Sequence, residues 1–178
     1  PDVFAIPGNH DWYDSGVSFT RLFCSGRWFK GWRTRQKRSY FALKLPHGVW
    51  LIGADVQLGS DIDALQIEYF KAVAAQTQKG DRIVVCTAEP HWIAARAYQE
   101  MDPESNENNL RYFETVLQGN GASIVAYLAG DLHHYRRHAN ASGIQKITAG
   151  GGGAFLHPTH GPDASRLDGG FDLRSAYP

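Results

Sequence analysis

The chain has 178 residues, enough for one domain with a sizeable core, and its 43% apolar and 20% charged content is ordinary for a globular protein. Formal net charge is zero, so no global field recruits nucleic acid or an anionic membrane, and any attraction for anions must be local. The two cysteines, Cys24 and Cys86, have no CxxC spacing, which argues against a thiolate zinc site and neither demands nor excludes an oxidising compartment; the cytoplasm is the expected location.

No apolar run reaches the ~18 residues of a membrane helix, and no signal peptide opens the chain. The chain begins on a strand one step before its most informative turn and stops abruptly at Ala176-Tyr177-Pro178, so a piece of a longer protein is expected.

Val3-Phe4-Ala5-Ile6 reads as a buried strand, ended by Pro7-Gly8. The turn presents Asn9, His10 and Asp11 at a strand's carboxyl end, where open α/β sheets place ligands. An Asn carbonyl can ligate a hard metal, an imidazole can transfer a proton, and an Asp can orient that imidazole. A polar turn with a chance His is the plainer alternative.

Residues 12–25 are expected to be helical in part, with Asp14 or Ser15 as N-cap. The segment 27–38 carries Arg27, Lys30, Arg33, Arg35, Lys37 and Arg38 among Trp28, Phe29 and Trp32, with no acid. Arg33 and Arg35 are candidates for gripping a phosphate-bearing substrate; a solvated loop is the alternative. Strands are expected at 39–45 and 49–54, joined as a hairpin through Pro46-His47-Gly48, with Asp55 read as a loop residue. A helix spans 61–78, capped by Asp61 or Asp63 and closed near Gly80. Residues 82–87 form a continuous apolar strand of the type buried on both faces.

That strand delivers Ala88-Glu89-Pro90-His91-Trp92. Asp102-Pro103-Glu104 starts a helix that runs to Gly119. The strand 122–129 then leads to Gly130-Asp131-Leu132-His133-His134-Tyr135. On an extended segment Asp131 and His133 would project the same way, and His134 would point away, towards a supporting hydrogen bond, a substrate or a structural role. After the strand 144–148, four glycines at 150–153 could cradle phosphate, although no lysine follows at P-loop spacing. A flexible lid or linker is the simpler account, with His157 and His160 as further candidates; residues 150–178 are expected to be a Gly-rich loop and irregular tail.

Gly8-Asn9-His10-Asp11 and Gly130-Asp131-Leu132-His133 together resemble the Gly-Asn-His-Asp/Glu and closing Gly-His-x-His motifs of calcineurin-like metallophosphoesterases. Their order and separation also fit, so the resemblance covers most of the chain. It implies two divalent ions (manganese, iron or zinc) activating water against a phosphate ester. Asn9 and Asp131 would serve the second ion and His133 the first, with His10 as general acid and Asp11 beside it, although the family's own partner Asp lies upstream.

Two departures stand out. The family has His-x-Pro after the 82–87 strand, and aligning on Pro90 puts Ala88 in place of that His. Glu89, nearer the strand end, or His91 could replace it, or neither. The family's opening Asp-x-His and bridging Gly-Asp motifs have no counterpart in the six residues before Pro7. This chain alone is therefore expected to bind metal weakly and to be nearly inactive, the longer parent being the hydrolase. A non-catalytic relative that binds a ligand or partner is the alternative class; a nucleic-acid binder using residues 27–38 is the least supported, and oligomeric state is open. The fold expected is α/β: a mixed β-sandwich flanked by helices, in the four-layer metallophosphoesterase form truncated at its N-terminus, with 1–178 as one partial domain.

Overall fold

The computed structural model describes residues 1–56, 62–97, 104–152, 155 and 164–177. In chain order these form β1 (Asp2–Val3), a 3-10 turn (Asn9–Asp14), α1 (Val17–Phe23), β2 (Trp28–Phe29), β3 (Trp32–Thr34), β4 (Phe41–Leu45) and β5 (Val49–Gly53). There follow α2 (Ala64–Ala74), β6 (Arg82–Thr87), α3 (His91–Ala97), α4 (Glu104–Leu117), β7 (Ser123–Ala129), β8 (Tyr135–Ala139), β9 (Gln145–Ala149), β10 (Arg166–Leu167) and β11 (Phe171–Tyr177).

The strands divide between an eight-stranded mixed sheet, ordered β10-β11-β8-β9-β7-β6-β5-β4, and a three-stranded sheet, ordered β1-β3-β2. At the centre of the larger sheet β5, β6, β7 and β9 run parallel, and the antiparallel pairs lie towards its edges. The expected α/β class, with mixed sheet flanked by helices, is what the chain adopts. Parallel neighbours require crossovers, and these are supplied by α2 between β5 and β6 and by α3 with α4 between β6 and β7.

The core lies where those helices meet the sheet. Trp50 and Ile52 of β5, Ile83 and Val85 of β6, and Ile124, Tyr127 and Ala129 of β7 join Ile67, Phe70 and Val73 of α2 and Phe113 and Leu117 of α4 in one buried cluster. Phe70 and Phe113 are fully buried and meet edge to face at 4.9 Å, an arrangement that adds ~0.5–1.5 kcal/mol to their area burial. The opposite face of the central strands, with Leu51, Val84, Cys86 and Leu128, is only half-buried. The expectation that β6 is covered on both faces thus holds for one face in full and for the other in part.

Local signals account for several boundaries. Asp63 caps α2, its carboxylate accepting the Gln66 N–H at 2.9 Å, a contribution of ~1 kcal/mol. Asp14 accepts the Val17 and Ser18 amides, each at 3.0 Å, ahead of α1, and the Ser18 hydroxyl, with these amides in support, holds its carboxyl below the usual range. Asp61 as alternative cap, Asp102-Pro103, Gly153, His157 and His160 lie outside the described residues.

Three expectations are corrected. The opening strand is two residues long rather than four, because it pairs only with the short β3. The segment 135–139, where no strand is expected from sequence, is β8, paired with both β9 and β11. The tail expected to be irregular includes β10 and β11, the latter hydrogen-bonded along the length of β8.

Candidate functional site

The parallel strands β6, β7 and β9 end on the same side of the sheet, and their following loops meet the turn after β1 there. Gly8, Asn9, His10, Ala88, Asp131, His133, Gly150, Gly152 and Phe155 line a cleft of about 690 Å³. This is the carboxyl-end location expected of ligand sites in open α/β sheets.

Backbone hydrogen bonds fix the walls. The Gly130 N–H donates to the Ala88 carbonyl at 3.0 Å, tying the β7 exit to the β6 exit, and the Gly150 N–H donates to the His134 carbonyl at 3.3 Å. A Cβ on Gly150 would strike the backbone of Leu132 and come within 3.0 Å of Gly130, so only glycine lets the 150 loop lie against the loop carrying Asp131. The Asn9 turn is closed by Asp11, whose carboxylate accepts the Gly8 N–H at 2.9 Å while its own N–H donates to the Gly8 carbonyl at 3.1 Å. Asp11 therefore shapes the turn and does not line the cleft.

The side chains meet across the cleft. Asn9 Nδ2 donates to Asp131 Oδ1 at 3.2 Å, and Asn9 Oδ1 accepts the His10 N–H at 2.9 Å. The His10 ring is exposed and lies 4.7 Å from that of Tyr13; the His133 ring meets Phe155 edge to face, also at 4.7 Å. Asp131 has φ of 60°, a left-handed conformation that is uncommon outside glycine and that clusters at functional sites. The 131–133 segment is thus a tight turn rather than the extended segment expected, with the Leu132 N–H donating to the Gly130 carbonyl at 2.7 Å, yet both Asp131 and His133 reach the cleft.

Of the residues singled out from sequence, Asn9, His10, Asp131 and His133 come together. Glu89 is buried and does not line the cleft; Ala88, one position earlier, faces it instead. His91 opens α3 and borders a separate cavity of about 410 Å³ that also touches Tyr127 and Lys146, and burial pushes its pKa down. His134 is buried, with only 4% exposed, outside the cleft lining. Arg33 lies on β3, and Arg35 pairs with Asp2 at 2.9 Å; neither borders the cleft.

Two neighbours of the cleft side chains were not singled out from sequence: Tyr13, stacked on His10 outside the lining, and Phe155 on the cleft wall. Tyr13 follows His10 at the i+3 spacing that stacks side chains on a 3-10 turn, a signal that was present. Phe155 has no such local cue, because its contact with His133 arises from tertiary folding.

A dinuclear metal centre does not fit these side chains. Among the described residues no three His, Cys, Asp or Glu side chains cluster as a metal would require. Asp131 offers the sole cleft carboxylate among them and already accepts from Asn9, while Ala88 has no donor atom in its side chain.

No family model matches the sequence, and no curated protein matches it significantly. Among solved structures, GAP50, the anchor in the inner membrane complex of Plasmodium, aligns with a TM-score of 0.62 and 13% identity over 98% of this chain and 54% of that one. Purple acid phosphatase PPD1 from yellow lupin (Lupinus luteus) seeds aligns with a TM-score of 0.47 and 14% identity over 68% of this chain and 24% of that one. The chain spans about half the length of the GAP50 chain it matches. At this identity the likeness concerns the fold alone: the chain shares the α/β architecture of GAP50, a mixed sheet with helices packed against it.

Proposed function

We propose that the chain is part of a metallophosphoesterase-like phosphoester hydrolase, contributing one wall of the substrate cleft and acting within a longer protein. The observation that carries this reading is the meeting of the 9–10 and 131–133 loops in one cleft at the sheet's carboxyl edge. In this reading His10, exposed at the cleft rim and stacked on Tyr13, donates a proton to the departing ester oxygen. Asn9 and Asp131 fix each other's orientation, and His133, held against Phe155, faces the same space.

Among the described residues the chain does not complete a two-ion site, and the ester's negative charge would meet the Asp131 carboxylate. The remaining cations, protein or metal, must therefore come from outside this set. That the aligned portion is only 54% of GAP50 leaves room for such residues in a longer chain.

A second reading, a non-catalytic ligand- or partner-binding domain, is favoured by Ala88 on the cleft wall and by the Asn9–Asp131 closure. The two separate on one experiment. The longer parent, assayed with divalent ions on an aryl phosphomonoester and diester, should turn one of them over and lose that turnover on His10→Ala. No metal-dependent turnover would leave the binding reading, and full turnover by the variant would remove His10 from the chemistry.

A further inference from the structure

The β2–β3 hairpin presents aromatic rings to solvent on both of its faces. Its two-residue tip, Lys30-Gly31, has positive φ at both positions (45° and 87°), as a tight type I′ turn requires. The register sets Phe29 opposite Trp32 and Trp28 opposite Arg33. Cross-strand partners share a face, so Phe29 and Trp32 occupy one side of the ribbon and Trp28 and Arg33 the other. Trp28 is 68% exposed, Trp32 48% and Phe29 40%, so neither side rests on a core.

The base of the hairpin is firmly held. Thr34 is fully buried, and its N–H and hydroxyl both donate to the Arg27 carbonyl, at 2.9 and 3.1 Å. β3 also pairs with β1, and the Arg33 N–H donates to the Pro1 carbonyl at 2.9 Å. The segment 27–38 contains no acidic residue. Arg35 is taken up by Asp2, while Lys30 stands 5.9 Å from the Phe29 ring at the tip.

From this arrangement we infer that the β2–β3 hairpin docks the chain on an anionic membrane surface. Trp28, Phe29 and Trp32 enter the boundary between headgroups and acyl chains, and Lys30 and Arg33 meet lipid phosphates. Amphipathic aromatic rings favour that boundary, and basic side chains beside them are attracted to anionic lipid. With zero net charge on the whole chain, the attraction is confined to this patch. Stacking along a nucleic-acid strand calls for a platform of rings on one face, whereas here they project from both faces of a narrow ribbon. The inference is independent of what the cleft does.

The test is sedimentation of the 178-residue chain with phosphatidylcholine vesicles, with and without about 30 mol % phosphatidylserine. The chain should pellet with the anionic vesicles and not with the neutral ones, and raising salt from about 0.1 to 0.5 M should weaken binding. Trp28→Ala with Trp32→Ala should abolish it. Lys30→Gln with Arg33→Gln should weaken it roughly thirtyfold. All four positions are solvent-facing, and unchanged circular dichroism and melting will show that the fold persists. Equal pelleting with both lipids that the substitutions leave unaltered would overturn the inference. So would binding of a single-stranded oligonucleotide, or a dimer in solution, abolished by the same substitutions while vesicles are ignored.

Discussion

Asn9 Nδ2 and Asp131 Oδ1 lie 3.2 Å apart although 122 residues separate them in the chain, and this hydrogen bond joins the two loops of the cleft. A partly buried bond of this kind contributes ~1 kcal/mol, more where an ionised group accepts it. A double-mutant cycle of Asn9→Ala and Asp131→Ala, read by urea denaturation, should therefore show a coupling of ~1 kcal/mol. Simple additivity of the two losses would mean that the contact does not hold in solution.

Gly150→Ala tests the cleft floor without altering a chemical group. The added methyl strikes the Leu132 backbone, so the loop carrying Asp131 must move. A loss of ~1–3 kcal/mol is expected, with amide resonances of 130–133 shifting most. Unchanged stability and an unchanged spectrum would place the 150 loop elsewhere.

The pH dependence of stability should show two buried imidazoles. Burial lowers the pKa of His91, and burial lowers that of His138 too, aided by Arg136 and Lys146 and opposed by the hydrogen bond from Nε2 to the Ala164 carbonyl. Both folded values lie below the unfolded one, so on acidification the unfolded chain takes up protons first. Stability should be at its full level above about pH 6.5 and decline as pH falls below it towards the folded values. Measured between about pH 7 and 5, above the main carboxylate range, the slope should diminish in His91→Gln and in His138→Gln. A slope that neither substitution alters would assign the effect to other groups.

How much of this could be read in advance follows from where the information sits. The strands β6 and β7 and the helix α2 are legible because continuous apolar runs and an Asp cap are local signals. The strand β8, Tyr135-Arg136-Arg137-His138-Ala139, is not, because its buried positions hold Arg136 and His138, which only tertiary partners make tolerable. In β11 the alternation Phe171-Asp172-Leu173 was a usable strand signal beside the more conspicuous glycines. At the site, Asn9, His10, Asp131 and His133 were identifiable from motif pattern. That Ala88 rather than Glu89 faces the cleft depends on which way the chain turns after β6, as does the left-handed turn at Asp131, and neither is encoded by residue type alone.

Arg33 and Arg35 stand outside the cleft lining, with Arg35 committed to Asp2. Neutralising both in the longer parent should leave KM for a small aryl phosphate within about twofold, since exposed charges at a distance are largely screened. A tenfold rise in KM would return them to the substrate site.

The most direct test of the account is divalent-ion content after equilibrium dialysis, measured on the 178-residue chain and on the longer parent side by side. Two tightly held ions per parent molecule are expected, and fewer than two on the shorter chain, whose described cleft side chains do not complete a two-ion site. Two tightly held ions on the 178-residue chain alone would contradict it.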